Sequence, residues 1–271
     1  MRKQLDELGA KFNVHGHSEV ADVSMTLKRE VRRRLWSLGY DLARFNPESH
    51  PIARRRRLMS SWRIDVVLDV GANAGQFAHH LRSDLGFEGR ICSFEPLSVP
   101  FRRLQSLVGK DPNWQAFNFA LGDVEGMATI NVAANSESSS MLEMLPLHME
   151  AAPESRFVGT EDVEIRMLDA IFHNLCHPGE GVYLKIDAQG FEGRVLRGAD
   201  RCLPKIDTVQ VEMSLTPLYS DELTFGALYQ LLLGKGYVMV GLEPGFTNPQ
   251  TGQLLQADAI FHRFERPEIT T

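Results

Sequence analysis

Little in this sequence points to disulfides, membranes or low complexity. Three cysteines among 271 residues, Cys92, Cys176 and Cys202, form neither a close pair nor a metal-spaced cluster, so they read as reduced residues of a cytosolic protein. No run approaches the roughly 20 consecutive apolar residues that a membrane-spanning helix needs. The opening MRKQLDELGAKFNVHG has no apolar stretch of the signal-peptide kind. Gly at 22 and Pro at 13 exclude collagen-like and low-complexity classes. No internal repeat is visible. A chain of this length, 43% hydrophobic, can bury a sizeable core without staples.

Charge is present but uneven. Residues 1–63 hold 14 Lys+Arg against 7 Asp+Glu, a balance of +7; the remaining residues hold 15 against 28, a balance of -13. The acidic main body argues against a nucleic-acid partner, which needs a continuous basic footprint and interleaved aromatics. Residues 1–63 are therefore expected to form a basic, mainly helical extension, and 64–271 the main domain. In the extension, Leu27, Val31, Leu35, Leu38, Leu42 and Phe45 recur at spacings of 4, 4, 3, 4 and 3, which predicts one helix over Thr26–Phe45. Arg29, Arg32, Arg33 and Arg34 surround its apolar stripe. Such a helix suits packing on the domain, a homodimer contact or a membrane surface. Pro47 and Pro51 break the pattern. The run Arg54–Arg57 then reads as a solvated face or an anion contact.

From Ile64 onward, short apolar runs alternate with amphipathic stretches. Strands are predicted at DVVLDV (65–70), RICSF (90–94), 114–121, 127–132, 163–168, VYLKI (182–186), 208–212, 237–242 and 257–264, with the 127–132 run as a hairpin partner of 114–121. Helices are predicted over 75–85, 99–107, 192–196 and 225–233. The alternation predicts an α/β fold, a parallel sheet covered on both faces, with ligands at the carboxyl ends of the strands. The polar stretch at about 133–160 is long for a connection and suits an acceptor lid.

Three strand ends carry chemistry. LDVGANAG (68–75) leaves an apolar strand and opens a helix. Asp69 is placed to accept hydrogen bonds from loop amides or a ligand, and Gly71 and Gly75 clear space for a ligand at the backbone. The spacing lacks the G-x-G-x-x-G of dinucleotide sites, which weighs against an NAD-dependent oxidoreductase. It matches an acidic residue followed by G-x-x-x-G, a loop suited to S-adenosylmethionine (SAM), a nucleoside without phosphates. Ser93-Phe94-Glu95-Pro96 ends the second strand with a carboxylate 26 residues after Asp69, where a doubly wound sheet meets a ribose. Ala120-Leu121-Gly122-Asp123 ends the third. Asp123 there is placed to accept from an adenine amino group, with Leu121 on the ring; an ordinary Gly-Asp turn is the competing reading.

Taken in order, LDVGANAGQF, SFEP, ALGD, SSSM and LKIDAQGFE resemble the FkbM family of SAM-dependent methyltransferases over about Asp65–Phe264. The resemblance implies a doubly wound, Rossmann-like sheet of seven strands with the last antiparallel, and O-methylation of a sugar hydroxyl in a glycolipid, oligosaccharide or polysaccharide precursor. It places the cofactor loop on Asp69, Gly71, Asn73 and Gly75, the ribose acid on Glu95, and the adenine region on Leu121, Gly122 and Asp123. Its second motif falls on Lys185, Asp187, Gly190 and Glu192, with Ala188-Gln189 where Val-Glu is more usual. Ser138, Ser139 and Ser140 match a serine run near cofactor or acceptor.

Methyl transfer to a hydroxyl needs alignment and a place for the proton. Asp187, at the end of the VYLKI strand, is the main candidate base, and Glu212 ends the next strand. The two carboxylates suit either a base with its modulator or a site for Mg2+ or another divalent cation. His148 in the insert is a further candidate base. Asp258, at the start of the last strand, is placed to border the same region, with a plain strand-end charge as the favoured reading. A methyltransferase for another small-molecule hydroxyl and a noncatalytic nucleoside-binding module are the alternatives; SAM binding without turnover would favour the module.

Overall fold

The run IDVVLDV at Ile64–Val70 (β1) is buried at every position except Asp65, and GVYLKI at Gly181–Ile186 (β7) is buried at all six. Strands apolar on both faces belong in the middle of a parallel sheet with helices above and below. A computed structural model of the protein, which describes residues 29–264, shows that sheet. Its seven strands run in the order β3-β2-β1-β7-β8-β10-β9, with β2 at Arg90–Phe94, β3 at Trp114–Phe117, β8 at Thr208–Ser214, β9 at Val238–Pro244 and β10 at Gln256–His262. β1 pairs in parallel with β2 and β7, and β7 with β8. β10, the last strand, is antiparallel to both neighbours. The expected α/β, Rossmann-like seven-stranded sheet is thus present. The strand order reverses between β1 and β7, and ligands in such sheets sit at the carboxyl ends beside that point.

Helices fill the connections: Gln76–Ser83 (α2) after β1, Ser98–Val108 (α3) after β2, Leu168–Leu175 (α5) before β7, Glu192–Gly198 (α6) after β7 and Phe225–Gly234 (α7) after β8. The core beneath them joins Val66, Leu68, Phe94, Leu184, Val195, Leu203, Val209 and Phe261, all buried. The three cysteines are buried and unpaired.

The structure departs from the sequence pattern after β3 and at Leu168–Leu175, a helix where the pattern predicted none. The predicted strand over 114–121 breaks after Phe117. The Asn118 amide donates to the carbonyls of Glu95 (3.0 Å) and Pro96 (2.9 Å), which turns the chain away. Ala120–Leu121 (β4) then joins a separate three-stranded sheet. In it, Gly126–Ala133 (β5) pairs antiparallel with Phe157–Arg166 (β6) and not with residues 114–121. Between β5 and β6 lie the serine run and a short helix, Pro146–Ala151 (α4).

Upstream, residues 29–54 and 55–264 are two units, the division falling between Arg54 and Arg55. Within the first, the helix covers 29–37 of the described residues and stops before Phe45. Gly39, at φ 81°, supplies the left-handed turn, and the amides of Gly39 and Tyr40 donate to the carbonyls of Trp36 and Leu35, a Schellman-like end. Thr26 and Leu27 lie outside the described residues.

Pro51 opens the next helix, Pro51–Ser61 (α1), a position where its missing N–H costs nothing. The arginine run lies on this helix, and Arg55 departs from the solvated face expected of the run. It is buried and ion-paired with Glu243 of β9, while Arg56 and Arg57 are exposed. Arg55→Ala strands a buried carboxylate and should cost about 3 kcal/mol in chemical denaturation. The double replacement Arg55→Met, Glu243→Leu should recover most of it. A single variant as stable as the parent would show that the pair is not a buried one in solution.

Candidate active site

A cavity of about 510 Å3 opens at the carboxyl ends of β1, β2, β7, β8 and β10, within the range of ligand pockets. Its first half is built on the loop after β1. Gly71 has φ 74°, and its amide and that of Ala72 donate to the Phe94 carbonyl at 3.1 and 3.0 Å. A Cβ at Gly71 would stand 1.8 Å from the Asp187 carbonyl oxygen. The glycine therefore lets the loop cross the end of β7. Asn73, also left-handed at φ 47°, donates its amide to Glu95 at 2.8 Å, and Leu97 donates its own at 2.8 Å to the other carboxylate oxygen. Glu95 is 5% exposed, and burial pushes its carboxyl up to about 7 against these two amides. Each of its oxygens keeps a lone pair for a ligand hydroxyl. Phe94, Pro96, Leu97, Leu121, Met141 and Phe191 form an apolar wall beside it.

Other residues of the expected cofactor set stand elsewhere. Gly75, φ 91°, does not line the cavity; a Cβ there would meet Trp114 at 3.0 Å and Leu104 at 3.1 Å. It clears space for packing and for the helix start, not for a ligand. Gly122 likewise abuts Ile165 and Phe191. Asp123 does not line the cavity; its carboxylate is ion-paired with Arg197 (3.0 Å) and Arg194 (3.6 Å) of α6. Asp69 is fully buried behind the wall and does not reach the loop amides. Ser93 Oγ donates to it at 3.1 Å and Lys185 Nζ lies 3.4 Å away.

Lys185 is the pivot between the halves. Its ammonium lies 3.4 Å from Asp69 and 3.3 Å from Asp187, and donates to the Gly71 carbonyl at 3.3 Å. Burial alone would lower its pKa, but the Asp187 and Asp69 charges outweigh it and the pKa is raised. It stays charged under the glycine loop.

The second half is polar and largely acidic. Asp187, Glu212 and Asp258 line it. Glu212 and Asp258 stand opposite each other across β8 and β10, and Asp258 opposite Glu243 across β10 and β9. Like charges in such register cost stability, a cost usually borne for function. Burial, then neighbouring carboxylates, pushes Glu212 well up; burial also raises Asp258. Glutamine amides relieve the crowding. Gln189 Nε2 donates to Asp187 (2.8 Å) and Glu212 (2.9 Å), Gln256 Nε2 to Glu212 (2.8 Å), and Gln210 Nε2 to Asp258 (2.9 Å). Arg55, Phe77 and Phe246 complete this end.

Gln210, Gln256, Arg55 and Phe77 were not legible as site residues. The available signal was a glutamine inside an otherwise apolar strand, as in TVQVEMS, where a buried amide needs partners. Glu192 accepts from the amides of Ala188 (2.8 Å) and Gly190 (3.2 Å) and so caps its turn.

Residues of the insert line part of the cavity. Ser138 and Ser139 line it, whereas Ser140 donates to the Gln189 carbonyl at 2.6 Å. His148 is not exposed: it is buried on α4 against the rings of Tyr219 and Phe246, both at 5.2 Å. Burial lowers its pKa to about 4, so the ring is neutral near pH 7.

The model of the methyltransferase FkbM domain matches residues 69–239. The chain belongs to the FkbM methyltransferase family. No curated protein matches it. Among solved structures, the FkbM chain is similar to an rRNA methylase from Streptococcus thermophilus, with 8% identity, 82% of this chain and 100% of that one covered, and a TM-score of 0.44. It is also similar to fibrillarin from Aeropyrum pernix, solved with bound S-adenosyl-L-methionine, with 14% identity, coverage of 73% and 66%, and a TM-score of 0.40. A SAM-dependent methyltransferase from Aquifex aeolicus shares 9% identity, with coverage of 80% and 90% and a TM-score of 0.39. Among the described residues, no helix is long and apolar enough to cross a membrane.

Proposed function

We propose that this methyltransferase binds SAM in the Glu95 half of the cavity and transfers its methyl group to a sugar hydroxyl held in the Asp187 half. One observation carries the reading. A single cavity joins a buried carboxylate beside an apolar wall to a cluster of carboxylates and amides at neighbouring strand ends. Glu95 accepts the two ribose hydroxyls, and Leu97, Leu121, Met141 and Phe191 enclose the adenine. SAM supplies a methyl group already activated on a sulfonium. Gly71 and Asn73 bring the loop backbone to the ligand. Asp187 takes the proton of the attacking hydroxyl, with Glu212 beside it. His148, neutral and poorly basic, shapes the acceptor wall. Gln210, Gln256 and Asp258 offer the mixed donors and acceptors that a polyol requires, and the insert over 133–160 covers the acceptor. The acidic body favours such an acceptor over a polynucleotide. The catalytic domain then takes in Arg55 as well as 64–271, with the residues before Arg55 as an extension available for self-association. Buried, unpaired cysteines suit a cytosolic setting.

Calorimetric titration with SAM, followed by a screen of sugar acceptors with labelled methyl, tests this. Saturable binding and label on a hydroxyl are expected. Tight NADH binding without SAM binding, or SAM binding with no transfer to any hydroxyl, would overturn it.

The ribose assignment carries a pH signature. Glu95 must be ionised to accept from two hydroxyls, and its carboxyl titrates at about 7. SAM affinity should therefore rise with pH through 7, the Kd at pH 6 being about tenfold weaker than at pH 8. Glu95→Ala should weaken binding by about 10- to 100-fold, the loss of a charge-assisted pair of hydrogen bonds, and flatten the profile. An unaltered Kd would remove Glu95 from the ribose site.

A further inference from the structure

The point between Asp187 and Glu212 was expected to suit a base pair or a divalent cation. Tested against the donor set, a cation does not fit. Mg2+ asks for close to six oxygen ligands at about 2.0–2.1 Å. Here an amide nitrogen occupies the gap, with Gln189 Nε2 at hydrogen-bond distance from Asp187 Oδ1 (2.8 Å) and Glu212 Oε2 (2.9 Å). The same Glu212 oxygen takes a second donor, Gln256 Nε2 at 2.8 Å. Asp187 Oδ2 faces the Lys185 ammonium at 3.3 Å. Among the described residues, no group of three or more His, Cys, Asp and Glu is arranged to hold a metal ion.

The amide is held in one orientation. Its Oε1 lies 2.8 Å from the Tyr219 hydroxyl, whose single proton has this oxygen as its nearer acceptor and the Ser138 carbonyl, at 3.1 Å, as its farther one, and the nitrogen faces the carboxylates. A flipped amide would set a carbonyl oxygen against two carboxylates. The backbone is fixed as well: Gln189 sits at φ 51°, and Ser140 Oγ donates to its carbonyl at 2.6 Å. Left-handed backbone at a non-glycine residue costs about 1 kcal/mol and persists where surrounding contacts enforce it, most often at functional sites.

We propose that Gln189 is a positioning residue whose carboxamide stands in the place of a cation, bridging Asp187 and Glu212 so that both face the acceptor without metal. The proposal rests on the assignment of those carboxylates to proton transfer. Two fixed N–H donors keep the pair a set distance apart and soften their repulsion, while leaving lone pairs on both for the hydroxyl. A glutamate at 189 would turn the donors into acceptors. Three carboxylates would then converge, a donor set suited to a hard divalent ion.

Mn2+ binding followed by electron paramagnetic resonance tests this apart from catalysis, on the full chain and on Gln189→Glu and Gln189→Leu. The parent should bind no Mn2+ below about 1 mM, the weak end of biological oxygen-ligand sites, and Gln189→Glu should bind one ion. With an acceptor from the screen, EDTA should leave parental turnover unchanged. Gln189→Leu should lower kcat by about 10- to 100-fold, the usual effect of losing a supporting hydrogen-bond partner, with the SAM Kd within threefold of the parent. Mn2+ bound to the parent and released by Asp187→Asn would overturn the proposal. So would a Gln189→Glu protein that takes up no Mn2+, or parental kcat in Gln189→Leu. Absence of SAM binding by the parent would instead sink the functional reading, and the Mn2+ titration would still decide the bridge.

Discussion

Gly71→Ala is expected to destabilise the protein by about 3–5 kcal/mol and to abolish SAM binding at concentrations that saturate the parent; changes of this size have identifiable causes. Two separate costs add at this residue. The first is conformational, since an L-side chain at φ 74° is disfavoured by about 1–2 kcal/mol. The second is steric and larger. The new Cβ would stand 1.8 Å from the Asp187 carbonyl oxygen and 2.9 Å from its carbon, both backbone atoms that cannot swing aside. Relief requires the loop after β1 and the end of β7 to part. That separation breaks the hydrogen bond that the Asp187 amide donates to the Val70 carbonyl (3.2 Å) and withdraws the Gly71 carbonyl from Lys185. Both halves of the cavity then lose their common wall. Gly252→Ala separates the two costs, because Gly252 has the same φ of 74° with open space around its Cβ position. It should lose only the conformational part. Thermal melts of the three proteins decide: at about 2–4 °C per kcal/mol for a chain of this size, Gly71→Ala should melt about 10 °C lower. A melting point indistinguishable from that of Gly252→Ala would mean that the crossing has slack.

This residue also marks where sequence reading succeeded and where it stopped. Gly71 was legible as a glycine that something must approach, because a loop leaving a buried strand needs such residues. Its closest neighbour, however, is the backbone of Asp187, more than a hundred positions away in the chain, and no local pattern encodes that crossing. Strands Ile64–Val70 and Gly181–Ile186 were legible because burial on both faces leaves an unbroken apolar run. The break at Asn118 was not, since an asparagine inside a plausible strand reveals its partners only when the Glu95 and Pro96 carbonyls lie beside it. Asp123 shows the same limit: its strand-end position was legible, its capture by Arg194 and Arg197 one helix later was not. Glu95 was legible as a strand-end carboxylate because the Asn73 and Leu97 amides that meet it lie within the same βαβ unit. The acidic half of the cavity was half legible. Asp187, Glu212 and Asp258 lie at strand ends, but Gln210 and Gln256 enter only through cross-strand register, and Arg55 only through its ion pair with β9.

Asp187→Asn should lower turnover by about 10²- to 10⁴-fold, the usual contribution of a general base, while the SAM Kd stays within threefold. That is about 3–5 kcal/mol of transition-state stabilisation at 1.36 kcal/mol per decade. Asparagine keeps the shape but loses the charge and cannot accept a proton. Its amide must also face a donor, either the Gln189 NH2 or the Lys185 ammonium, each of which now meets a carboxylate oxygen. Part of the loss could therefore come from a displaced loop. Two comparisons separate the causes. Glu212→Gln removes the neighbouring carboxyl and leaves the Lys185–Asp187 contact intact, so a smaller fall in kcat there assigns the proton to Asp187. Asp187→Glu restores a base one methylene too far, and partial recovery of kcat over Asp187→Asn argues for proton transfer, since a displaced loop would not improve with a longer side chain. Retained SAM affinity in all three variants keeps the defect in the acceptor half. Parental turnover in Asp187→Asn would remove this carboxylate from the chemistry and pass the role to Glu212, whose raised proton affinity already suits it to take one.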